Sequence, residues 1–88
     1  MIDLPNPSIT QTLNMANRDL PYTVMVHKDR HREAEAWCRS EWGKRWSVTE
    51  NRQGTWSCFW GGFREAKGNY LFHFACEQDA VLFALRWS

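Results

Sequence analysis

Apolar and polar positions alternate with a period of two in four stretches of the chain and recur with a helical period in two others. Tyr22, Val24 and Val26 alternate with Thr23, Met25 and His27 in a segment rich in β-branched and aromatic residues, which predicts a first strand. Asp29 stands where an N-cap would. The helix formers RHREAEAWCRSEW follow it, and Gly43 stands where a C′ glycine closes a helix. Ala34, Trp37, Cys38 and Trp42 share one side of that helix, and Arg32, Glu33, Glu35 and Arg39 lie largely on the other. Residues 45–51 alternate Trp46, Val48 and Glu50 against Arg45, Ser47 and Thr49. The loop NRQG then leads to a strand with Trp56, Cys58 and Trp60 on one face and Ser57, Phe59 and Gly61 on the other.

Gly61 and Gly62 end that strand, and the polar segment 64–69 makes the next turn. In NYLFHFAC, Tyr70, Phe72, Phe74 and Cys76 alternate with Leu71, His73 and Ala75. Glu77 and Asp79 then place negative charge in the first turn of a final helix, where the helix dipole favours it. Its inner stripe is expected to be Ala80, Phe83, Ala84 and Trp87, widened by Val81 and Leu85. The order is β-α-β-β-β-α. The expected fold class is α+β, a two-layer sandwich of a mainly antiparallel four-stranded sheet with both helices on one face. Trp56, Cys58, Trp60, Tyr70, Phe72 and Phe74 would then form the core. Residues 1–20 hold two prolines, three asparagines and no aromatic residue. They read as an arm, irregular or partly helical, with a short helix within residues 8–17, ahead of a single domain over residues 21–88.

If both helices share a face, the other face is open and carries Thr23, Met25, His27, Arg45, Ser47, Phe59, Leu71 and His73. An open antiparallel face is ordinarily solvated and mixed. Its sharper reading is a partner-binding patch of Met25, Phe59 and Leu71, bordered by His27, His73 and Arg45.

Composition narrows the alternatives. The chain has 88 residues, six of them tryptophan, so a few large side chains dominate one modest core. Eleven Lys and Arg against ten Asp and Glu leave a net charge of +1, which weakens a bulk electrostatic case for nucleic acid. The local case rests on Lys28, Arg30, Arg32, Arg39, Lys44, Arg45 and Arg52, although five acidic residues interleave with them. Aromatic strands also suit base stacking, but here they are needed for the core. Cys38, Cys58 and Cys76 are odd in number and without a CxxC pair, which predicts reduced thiols, and Cys38 lies on the apolar side of its helix where a thiol is inert. His31 and Glu35 share a helix face, and a metal site would want at least a third ligand nearby. No phosphate loop, dinucleotide fingerprint, zinc-protease motif or nucleophile elbow is present, so the expectation is a non-enzymatic protein with no cofactor. No membrane span and no signal peptide are legible, which predicts a cytoplasmic protein.

The segment YLFHFACEQDAVLFALRWS, residues 70–88, joins an aromatic strand to an acidic helix start and a Phe-x-Leu-x-Trp close. It resembles the endings of small proteins encoded by tailed bacteriophages, and the likeness extends to the helix around Trp37 and Cys38 and to residues 43–46. The resemblance implies expression in an infected bacterial cell and action by binding a host or viral macromolecule. Its motifs are packing motifs, so no functional residues carry over. The function expected is a protein–protein interaction module. Nucleic-acid binding and a structural role in a larger assembly are the alternatives.

Overall fold

The strand formed last in sequence lies at the centre of the sheet. The computed structural model describes residues 9–47 and 53–88 and gives the order α1 (Ile9–Asp19), β1 (Tyr22–Val26), a 3-10 turn (Lys28–Arg30), α2 (His31–Trp42), β2 (Trp56–Trp60), β3 (Tyr70–Phe74) and α3 (Glu77–Trp87). β3 pairs antiparallel with β1 on one side and with β2 on the other, so the two edge strands run parallel to each other. The protein is therefore a small α+β domain with a three-stranded antiparallel sheet and three described helices.

The register explains the core. Phe72 is flanked by Val24 and Cys58, and Phe74 by Tyr22 and Trp56, so the even-numbered positions of all three strands share one face. On that face α2 lays Ala34 and Cys38, and α3 lays Ala80, Phe83 and Trp87, with Trp37 and Trp42 packed around them. Phe83 is the hub: its ring centroid lies 4.7 Å from Phe72, 5.0 Å from Phe74 and 6.1 Å from Trp37. Rings at these separations add about 0.5–1.5 kcal/mol per pair beyond their burial. α2 ends as expected at Gly43, whose N–H donates to the Arg39 carbonyl. It starts differently, after a 3-10 turn, with Arg30 rather than Asp29 at the N-cap.

Several expectations about the layers are corrected. Residues 45–47 form no strand, and the remainder of the expected fourth strand, residues 48–51, lies outside the described residues. The Trp46 N–H does donate to the Trp56 carbonyl at 2.7 Å, so the segment meets β2 without forming a described strand. Trp46 also faces the other way from its expected side. Its ring packs with Ala16 and Leu20, and its Nε1–H donates to Asp19 Oδ2 at 3.1 Å. The physical reason is α1, which rests Met15, Ala16 and Leu20 on the second face of the sheet and gives a tryptophan there both apolar cover and an acceptor. Helices therefore lie on both faces, and the face expected to be open is partly covered. Finally, Val81 and Leu85 do not widen the inner stripe of α3, because both point to solvent. Trp60 leaves the expected core as well. It is half exposed at the end of β2, with its Nε1–H on the Gly68 carbonyl and its ring edge-on to Phe63.

The path of residues 44–46 depends on Gly54. At φ +103°, a β-carbon there would lie 2.6 Å from the Trp46 nitrogen and 2.7 Å from the Lys44 carbonyl oxygen. Gly43 also has positive φ, +81°, but faces open space. Gly43→Ala is expected to cost about 1 kcal/mol, from backbone conformation alone, and Gly54→Ala about 2–4 kcal/mol, because backbone must move as well. Urea denaturation of both variants measures this, and equal losses would mean that the close approach at Gly54 is not a constraint.

Candidate functional site

The second face of the sheet consists of two cross-strand rows. One row is Met25–Leu71–Phe59 and the other is Thr23–His73–Ser57, each with the β3 residue in the middle. The expected patch of Met25, Phe59 and Leu71 is thus brought together by register. Its character differs from expectation, because Met25 is exposed at one end while Phe59 is half-buried against the Trp46 and α1 cluster at the other.

His73 is the clearest departure. It was expected at an open surface but is 2 % exposed, set edge-on against Phe59 with ring centroids 5.3 Å apart. Among the described residues neither ring nitrogen makes a well-formed hydrogen bond, although the Leu20 carbonyl lies close by. Burial holds its pKa below the ordinary histidine value, and the nearby Leu20 carbonyl offsets part of that effect. His27 lies beyond the end of β1, exposed, where its Nδ1 accepts the Asp29 N–H at 3.1 Å.

Arg45 reaches across the edge of β2. Its Nε donates to Ser57 Oγ at 3.0 Å, one terminal nitrogen donates to the Cys58 carbonyl, and the other meets Glu35 Oε1 on α2 at 3.3 Å. Its guanidinium also lies 5.3 Å from the Phe59 ring centre. A planar fork makes such a multi-point contact where a lysine would reach one partner at a time.

The basic residues proposed for nucleic acid do not form one free surface. Arg39 shares Glu35 with Arg45. Arg30 sits 4.9 Å over the Trp87 ring, and Lys28 is exposed, with its backbone N–H donating to Asn69 Oδ1. Arg32 is exposed on α2, Lys44 is exposed beyond its end, and Arg52 lies outside the described residues. His31 and Glu35, weighed as metal ligands, are each engaged elsewhere. His31 Nδ1 donates to the Lys28 carbonyl at 2.7 Å and its ring stacks on Tyr70, while Glu35 holds the two arginines. Among the described residues no three His, Cys, Asp or Glu side chains gather as a metal ion would require, and no helix is long and apolar enough to cross a membrane.

The sequence reading missed an exposed apolar stripe on α3. Val81, Leu82 and Leu85 line an open shallow groove on the outer side of α3, together with Glu77 and Gln78, and Leu85 is 82 % exposed. Ala80, Phe83 and Trp87 face the opposite way into the core. The signal was present in the sequence as spacing: positions 78, 81, 82 and 85 recur at i, i+3, i+4 and i+7, a second helical stripe. A second exposed pair, Trp60 and Phe63, stands at the turn after β2, with Phe63 79 % exposed.

Compared with protein-family models, curated proteins and solved structures, the chain matches none.

The thiols separate sharply. Burial, with Cys58 and Glu35 adding to it, pushes the Cys38 thiol up to about 12, and burial with Glu35 pushes Cys58 to about 12 against the opposing pull of Arg45 and Arg39. Cys76, at the N-cap of α3, is exposed. At pH 8 a thiol with a pKa near 12 is thiolate in only about one molecule in ten thousand, and access is blocked besides. A thiol-specific reagent is therefore expected to modify Cys76 rapidly in the native protein, and Cys38 and Cys58 only after denaturation. Rapid native labelling of all three, read by mass spectrometry, would contradict this packing.

Proposed function

We propose that the protein is a small non-enzymatic interaction module that binds another protein through the outer face of α3. The observation that carries this reading is the stripe of Val81, Leu82 and Leu85, exposed on a helix whose opposite side is anchored in the core. An exposed apolar helical stripe bordered by polar groups suits the groove or helix of a protein partner. It also stands on a rigid support, since Phe83 and Trp87 hold the helix in place. Trp60 and Phe63 offer a second anchor of the aromatic kind enriched at protein interfaces. The likeness of residues 70–88 to small proteins of tailed bacteriophages supplies a setting for the proposal. The partner would be a host or viral macromolecule met in the cytoplasm of an infected bacterial cell.

The test is an affinity pull-down of the tagged protein from bacterial lysate, with nuclease-treated and untreated halves, alongside a Leu82→Asp/Leu85→Asp variant. Exposed positions of this kind change stability by roughly 0.5 kcal/mol or less, so the variant should keep the wild-type circular dichroism spectrum and denaturation midpoint. A partner retained after nuclease and at least about tenfold depleted on the folded variant is expected from loss of a central apolar contact. Equal retention on the variant would move binding off α3. Enrichment that disappears with nuclease would instead support the basic residues between positions 28 and 52 as a nucleic-acid surface.

A further inference from the structure

His73 is held in a place that suits only its neutral form. It lies mid-sheet between Thr23 and Ser57, against Phe59 and near the Leu20 carbonyl, and among the described residues neither nitrogen makes a well-formed hydrogen bond. An imidazolium must place two N–H donors and a charge. The Leu20 carbonyl is one nearby acceptor. The Ser57 hydroxyl is already committed, accepting from Arg45 Nε and donating to the Trp46 carbonyl at 3.2 Å.

Among the described residues, the charged groups around this face are engaged elsewhere or positively charged. From α1, Arg18 is exposed and Asp19 takes the Trp46 indole N–H. From the segment after α2, Arg45 is itself a cation, lying over Phe59. The neighbours on β1 and β2, Thr23 and Ser57, are uncharged. Among the residues whose side chains are described, the cover consists of Met15, Ala16 and Leu20 against Trp46 and Phe59, and only residues 20 and 21 join α1 to β1.

We infer that α1 is a pH-operated cover: protonation of His73 lifts α1 and Leu20 from the sheet and opens the face formed by Trp46, Phe59 and His73, continuous with Leu71 and Met25, while α2, α3 and the sheet remain assembled. The inference is independent of the reading of α3.

Burial depresses the His73 pKa in the closed state, so the neutral ring is the form that closure holds and the open state binds the extra proton. Closure is fully favoured above the ordinary histidine pKa of about 6.5 and weakens as pH falls below it. With a closed state that takes up no proton, the opening equilibrium rises about tenfold between pH 7.5 and 5.5.

Amide hydrogen exchange on the full chain, corrected for intrinsic rates, reads this directly. Protection of residues 16–20, including the Leu20 N–H bonded to Ala16, is expected to fall about tenfold from pH 7.5 to 5.5, with Phe72 and Phe74 unchanged. A His27→Gln/His31→Gln variant should behave as wild type, and His73→Phe should lose the dependence. No change in the wild type, the same loss in His73→Phe, or loss in α1 and β3 together would overturn the inference. Independently of any variant, a wild-type His73 ring that titrates near 6.5 while residues 16–20 stay protected would overturn it as well.

Discussion

The contact of Phe83 with Phe72 and Phe74 is the interaction on which the rest of this domain depends. β3 sits between the two edge strands, and its two core-facing rings are the surface that both edges and both inner helices share. A chain of this size buries only a modest fraction of its surface, so its stability rests on a few large side chains rather than on many small ones. Phe83 ties α3 to that central strand, and Trp37 ties α2 to Phe83. Because α3 is fastened by Ala80, Phe83 and Trp87, its remaining apolar side chains are left over for solvent or for a partner.

The two faces of the sheet are unlike in chemistry, and Arg45 is the strut between them. It ties Glu35 on α2, which covers the dry face, to Ser57 and Phe59, which belong to the other. The dry face is apolar but for the Cys38 and Cys58 thiols and the Trp87 indole N–H, which has no acceptor among the described residues. The second face mixes Phe59 and Trp46 with a buried serine and a buried histidine, and such polar groups are costly wherever their bonding is incomplete.

Much of the dry core was legible, because alternation at 22–26, 56–60 and 70–74 and the 34, 37, 38, 42 spacing all name the same interior. What escaped had physical reasons. α1 is rich in Thr, Gln and Asn, so the helix could be suspected but not the docking of Met15, Ala16 and the following Leu20. Trp46 obeyed the position of α1 rather than local alternation, since a backbone bond to β2 does not by itself impose a strand's sidedness. In α3 almost every position from 80 to 85 is apolar, so periodicity alone did not separate the inner stripe from the outer one. Position 73 was assigned correctly to the second face, and its burial followed from the misjudged cover.

The placement of β3 has a consequence during synthesis. β1 and β2 both precede it in sequence, and neither finds its backbone partner in the other, because β3 separates them. While the chain is being made, α1, β1, α2 and β2 emerge from the ribosome as segments whose apolar faces have no sheet to join. Only when residues 70–74 are free can every long-range pairing form, and Phe83 must follow to seal them. Assembly of the sheet thus waits on β3, with the tryptophan-bearing segments before it exposed to chaperones, or to one another, until residues 70–83 arrive.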